Sequence, residues 1–231
     1  MEIEVIAKIK TDFPNKFGIP RQSGLINTKA KIIFEKKFRD KSALRGMGNF
    51  SHLWLLWEFS ANEKSEWSPT VRPPRLGGNK RVGVFATRSP FRPNPLGLSS
   101  VKLERIYDDG ENGTVIEVSG ADLMDDTPIY DIKPYIPYTD CHEDALGGFS
   151  EDVFNQNLEV FVPDNIKEKL SESDFQNIYE ILKSDPRPHY HSDCERVYAF
   201  EYAKYHIEFK VDENILTVIS IENIDFCNVL Y

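Results

Sequence analysis

Apolar and polar residues alternate along residues 3–9 and 101–106, the period of a strand with one buried face. In the first stretch Ile3, Val5, Ala7 and Ile9 share a side. In the second, Val101 and Leu103 oppose Lys102 and Glu104. Residues 52–59 are mostly aromatic and apolar and predict a buried strand, and residues 82–86 and 114–118 are further strand candidates. Pro73-Pro74, Gly77-Gly78, Asp109-Gly110 and Asn112-Gly113 punctuate these runs as turns. Many short strands without long helices between them predict a mainly β fold, a compact barrel or sandwich.

The period changes after residue 162. Ile166, Leu170, Phe175, Ile178 and Leu182 lie three to five residues apart and predict one helix over 164–183. Asn165 and Glu168 would cap its start, and Asp185-Pro186-Arg187-Pro188 would stop it. Strand-like runs follow at 196–202, 205–211 and 215–221. The expected organisation is a β domain over 1–162 and a smaller α+β domain over 163–231.

No apolar run reaches the length of a membrane span, and the N-terminus lacks the features of a signal peptide. The odd, sparse set Cys141, Cys194 and Cys227 argues for a reducing compartment, so a cytoplasmic protein is expected. The formal charge of −9 argues against a nucleic-acid partner until its distribution is read. Residues 1–105 carry 20 Lys and Arg against 9 Asp and Glu, whereas residues 106–231 carry 8 against 28. Between Glu66 and Glu104 lie Arg72, Arg75, Lys80, Arg81, Arg88, Arg92 and Lys102 without one acid. Such asymmetry suggests one basic working surface; acidic residues that merely keep the chain soluble are the competing explanation.

The densest unusual stretch runs from Gly83 to Leu98, where Pro90, Pro93 and Pro95 restrict the backbone around Arg88 and Arg92. A guanidinium held in place suits a carboxylate or phosphate, although surface ion pairing explains the composition equally well. Pro20-Arg21-Gln22 and Arg72-Pro73-Pro74-Arg75 repeat the arginine-beside-proline arrangement. Asp125-Asp126-Thr127-Pro128 offers paired acids for a cation or a ribose, or simply turn residues. His189, His191 and Cys194 lack a fourth ligand and zinc-site spacing, so no metal is expected. The phosphate-binding loops and the nucleophile elbow of common nucleotide-binding and hydrolase folds are absent. No residue identifies itself as an obligatory base.

Taken together, the motifs resemble the TsaA-like (TrmO/YaeB) family of tRNA methyltransferases. The resemblance rests on Pro20-Arg21-Gln22-Ser23-Gly24, Arg45-Gly46, Phe50-Ser51-His52-Leu53-Trp54 and the segment from Thr70 to Gly78. It continues through Gly83 to Pro95, Asp131-Ile132-Lys133-Pro134-Tyr135 and Asp185-Pro186-Arg187-Pro188. It implies a small N-terminal β-barrel that binds S-adenosylmethionine and acts as a homodimer. The implied reaction is N6 methylation of N6-threonylcarbamoyladenosine at position 37 of the tRNA anticodon loop.

By the same resemblance the cofactor contacts fall on Pro20, Arg21, Gln22, Ser60, Ala61, Arg88, Leu98, Asp125, Asp126, Thr127 and Pro128. The basic residues Arg72, Arg75, Lys80, Arg81 and Arg92 are expected to meet the anticodon arm. Two positions depart from the family pattern: Ser60-Ala61 replaces the usual His-Gln, and Asp126 replaces the glycine of Asp-Gly-Thr-Pro. A non-catalytic RNA-binding module, or a methyltransferase with another substrate, are the alternative readings.

Overall fold

The computed structural model describes residues 2–62, 67–73, 76, 80–153, 158–187 and 194–224. The barrel strands are β1 (Ala7–Lys10), β2 (Lys29–Phe34), β3 (His52–Glu58), β6 (Leu96–Asp108), β7 (Thr114–Ser119) and β8 (Pro128–Pro134). Between β3 and β6, β4 (Thr70–Val71) and β5 (Val82–Gly83) form a separate short hairpin. The barrel closes in the order β1-β2-β7-β6-β3-β8, so none of its strands is left with a free edge. Its pairings are antiparallel, including β1 with β8, where Ala7 faces Ile129.

Alternation supplies the core. Leu53, Leu55 and Trp57 of β3 point inward with Ile9, Ile32, Val101, Ile116 and Val118. Full burial of such an apolar side chain stabilises by about 1.5–3 kcal/mol. A bulge between Leu103 and Arg105 shifts the phase of β6 by one residue, which brings Ile106 opposite Ile116.

The second unit contains β9 (Glu159–Phe161), α2 (Asp164–Lys167), α3 (Glu172–Lys183), β10 (Tyr198–Tyr202), β11 (Tyr205–Asp212) and β12 (Ile215–Asn223), after the short α1 (Pro137–Asp140). Its sheet runs β10-β11-β12-β9, with β9 parallel to β12. The sheet therefore takes in a segment that precedes residue 163. Its core joins Ile178, Ile181 and Leu182 of α3 to Phe200, Ile207 and Phe209, and also admits Phe13 and Ile26 from the N-terminal unit.

Four local expectations change. The predicted strand 82–86 is strand only at Val82–Gly83; Val84–Ala86 forms a 3-10 turn that buries Val84. The predicted helix 164–183 is two helices. The Ser171 hydroxyl accepts the Asp174 N–H at 3.1 Å and starts α3 afresh. No capping box forms at Asn165, because α2 begins behind Pro163 without a side-chain cap. Alternation in residues 3–9 yields a strand only from Ala7, where pairing with β2 and β8 begins.

Candidate functional site

A cleft of about 520 Å³ opens beside one end of the barrel. Residues 11–26 supply one wall. Phe13 packs on Tyr202 and Phe17 on Phe200, with ring centroids 5.3 and 6.3 Å apart. A Cβ on Gly18 would stand 2.4 Å from the Phe200 ring, so the loop is pressed against the second unit. Pro20, Arg21 and Gln22 then turn into the cleft. Among its contacts, the Arg21 guanidinium donates to the carbonyls of Asp185 at 2.8 Å and Arg187 at 2.7 Å. Asp185 in turn receives the Arg187 guanidinium on both oxygens, at 2.9 and 3.1 Å. The Asp-Pro-Arg-Pro motif thus meets the Pro-Arg-Gln motif across the joint between the units.

The proline-rich segment forms the facing wall. Arg92 donates to the Thr87 carbonyl at 2.6 Å and lies over the exposed Phe85 ring at 5.8 Å. That bond pins the loop from within. Arg88 is exposed, and its guanidinium donates to the Gln22 side-chain oxygen. Thr87, Arg88, Pro90 and Arg92 all line the cleft. Arg92, expected on the RNA face, is therefore a wall residue of this cleft.

The floor comes from the barrel end. Trp57 and Gly97 pair across β3 and β6, and a Cβ on Gly97 would sit 2.2 Å from the indole. Only a glycine lets this ring lie flat there. The Phe59 ring packs against it at 4.3 Å. From the buried indole, N–H donates to Ser99 Oγ at 2.9 Å, and Ser99 donates to Asp122 Oδ1 at 2.5 Å. Burial raises the pKa of Asp122 above the ordinary carboxylate value, against the opposing pull of the Ser99 bond and the nearby Arg88 charge. A second carboxylate, Glu58, lines the same cleft and accepts the Tyr130 phenol, whose pKa that bond pushes up to about 12.

Of the expected cofactor residues, Pro20, Arg21, Gln22, Ser60, Ala61, Arg88, Leu98 and Thr127 converge on the cleft. Asp125, Asp126 and Pro128 are not among its lining residues. Both acids instead bind Lys10, at 3.2 and 2.8 Å, and Asp125 also accepts the Thr11 N–H at 3.0 Å. Asp126 takes a left-handed backbone, φ 62°, which accounts for a glycine at this place in the family pattern; aspartate is among the residues that tolerate it. Its side chain is turned to Lys10 rather than narrowing the cleft.

Arg72, Lys80 and Arg81 are exposed beside the β4–β5 hairpin, where Arg81 donates to the Thr70 hydroxyl at 2.9 Å. Arg75, His189 and His191 lie outside the described residues. Asp122, Ser99, Trp57 and Glu58 were not expected at the site. Asp122 had a legible signal, a lone acid between the buried Ala121 and Leu123.

Among the described residues no helix is long and apolar enough to cross a membrane. Residues 8–141 match the model of the tRNA-methyltransferase O N-terminal domain, and residues 155–224 that of the TrmO C-terminal domain. A tRNA (adenine(37)-N6)-methyltransferase of Escherichia coli strain K12 is 34% identical over 230 residues, covering 96% of this chain and 97% of that protein. A protein of the same name from Eikenella corrodens is 43% identical over 171 residues, covering 74% and 96%. A crystal structure of TrmO from P. aeruginosa superposes with a TM-score of 0.75 at 28% identity, covering 96% of this chain and 97% of that one.

Proposed function

The chain belongs to the TrmO family of tRNA methyltransferases, and from that premise we propose that it methylates N6 of N6-threonylcarbamoyladenosine at position 37 of tRNA, with S-adenosylmethionine as donor. The observation that carries this reading is the convergence of Pro20, Gln22, Arg88, Leu98 and Thr127 on one cleft that also holds two carboxylates and an aromatic floor. That donor set fits the cofactor. Trp57, Phe59, Leu96 and Leu98 offer apolar surface for an adenine, Glu58 balances the cofactor's positive groups, and Lys16 suits its carboxylate. When bound, S-adenosylmethionine supplies a methyl group on a sulfonium and departs as a neutral thioether.

The chain's own contribution is positioning. The proline-restricted loop and the loop pressed on the second unit hold the two walls in place, so binding carries little further ordering cost. The exposed donors of Arg88 suit the threonyl carboxylate of the target nucleoside. Phosphates of the anticodon arm would meet Arg72, Lys80 and Arg81, with Arg75 from the same segment. We place the reaction in the cytoplasm and expect a homodimer. The barrel and the second unit, which begins with β9, divide the labour, the first bearing the cofactor and the second bracing the Pro20–Gln22 loop through Arg21.

The test uses tRNA from a strain lacking this modification, incubated with the purified chain and S-adenosylmethionine. Nucleoside mass spectrometry should show a gain of one methyl group on N6-threonylcarbamoyladenosine. Methyl transfer to unmodified adenosine instead, or none, would refute the reading.

A further inference from the structure

The hydrogen-bond chain beneath the cleft has a fixed polarity. An indole N–H can only donate, so the Trp57 ring occupies an acceptor direction of Ser99 Oγ. The one hydroxyl proton of Ser99 is then directed at Asp122 Oδ1, 2.5 Å away. Ser99 is 1% exposed and Trp57 6%, so water does not compete for the bond between them. A carboxylate offers roughly four lone-pair directions, so the bond from Ser99 leaves others available on a group that lines the cleft.

We propose that Asp122 is the catalytic base of this site, taking the N6 proton of the target nucleoside on the side of its carboxylate that lines the cleft. The proposal rests on the methyltransferase reading. The atoms balance: a new N6–CH3 bond replaces the N6–H bond, the C–S bonding pair stays on sulfur, and the proton ends on Asp122. The carboxylate enters charged and leaves neutral, matching the positive charge lost by the sulfonium.

Other carboxylates near the cleft are engaged. Glu58 receives the Tyr130 phenol, and Asp125 and Asp126 hold Lys10. Among the described carboxylates, Asp122 combines part burial, a directed donor chain and a place on the cleft wall. Its proton affinity, raised mainly by burial, favours proton uptake relative to an ordinary carboxylate.

The experiment compares wild type with Asp122→Asn, which keeps the shape and an acceptor for Ser99. Single-turnover methyl transfer to tRNA, S-adenosylmethionine affinity by calorimetry and thermal melting are measured together. Transfer should fall at least about 100-fold, with cofactor affinity changed less than about threefold and melting not lowered. A variant that transfers within about threefold of wild type would overturn the proposal. So would a matching loss of cofactor affinity, which would make Asp122 a partner of the cofactor's charge.

Should Asp122→Asn melt early, Ser99→Ala decides in its place. Its transfer rate should drop about tenfold, the size of one lost hydrogen bond to a charged group, at unchanged cofactor affinity. An unchanged rate would overturn the assignment. A wild-type protein that transfers no methyl group to tRNA would remove the reading itself, and an active wild type with an equally active variant would remove only Asp122.

Discussion

The Gly24 main-chain N–H donates to the carbonyl of Gly120 at 2.8 Å, and both residues have left-handed backbones, with φ of 78° and 82°. A Cβ on Gly120 would lie 3.3 Å from Gly24 Cα. This crossing joins the cleft-lining motif Pro20-Arg21-Gln22-Ser23-Gly24 to the turn that presents Asp122, and Ser23 Oγ also accepts the Ser100 N–H at 3.2 Å. Gly120→Ala combines left-handed strain of about 1–2 kcal/mol with a tight contact. The variant should melt several degrees lower and bind S-adenosylmethionine more weakly. Melting and calorimetry would check both, and an unaltered affinity would show that the crossing only serves stability.

Gly97→Ala should act through Trp57. The new methyl group and the indole cannot share the space, so the ring must tilt and its bond to Ser99 must lengthen or break. Overpacking of this kind costs about 1–3 kcal/mol. A shift in tryptophan fluorescence together with slower methyl transfer is the expected outcome. Normal fluorescence would mean that the barrel end yields instead.

Arg88→Ala should lower methyl transfer far more than stability. Its guanidinium is exposed and bonds Gln22 across the cleft rather than any buried group. Loss of a charged hydrogen bond costs roughly 1.5–3 kcal/mol, tenfold or more in rate or affinity. A variant that melts early, or keeps full activity, would return Arg88 to a structural role.

The pH dependence of stability carries a sign. The Asp122 carboxyl has a raised folded pKa, so between its unfolded and folded values the native state binds more protons than the unfolded chain. Stability therefore falls as pH rises through that window, which lies above the ordinary carboxylate value. Asp12, also raised by burial, adds the same sign. Comparing melting of wild type and Asp122→Asn across pH isolates the first group. The two curves should separate in favour of the variant as pH rises, and parallel curves would show that Asp122 titrates as it does in the unfolded chain.

The location of the RNA can be read from salt dependence. Arg72→Ala with Arg81→Ala should weaken tRNA binding across sequences and reduce the salt slope by about 0.7–0.9 for each phosphate left without its cation. Lys204→Ala with Lys210→Ala should do less, because Lys210 already pairs with Glu195 at 3.0 Å in an acidic half of the chain. A larger effect from the second pair would move the RNA to the other unit.

The sequence revealed most where one face of an element meets the core. Leu53, Leu55 and Trp57, or Ile207, Phe209 and Val211, announce their strands because the period and the burial coincide. It failed where a competing local bond decides. Ser171 restarts a helix whose apolar spacing alone runs straight through, and Val84 is drawn inward by a 3-10 turn in a run that reads as strand. Strand β2 escaped because Lys29 and Lys31 flank Ala30, a weak marker of burial. At the site, motif likeness found residues on the facing walls, but not the floor. Ser99 looks like any polar strand residue until Trp57 and Asp122 are seen on either side of it.

Phe13 and Ile26 belong by sequence to the N-terminal unit and by packing to the core of the C-terminal one. The two units are therefore not interchangeable modules. A shortened form ending before β9 would leave these side chains and Phe17 facing water, and would strip Arg21 of the carbonyls of Asp185 and Arg187. The loop that shapes one wall of the cleft is thus held in this chain by the second unit, and cleft geometry and the attachment of that unit are set together.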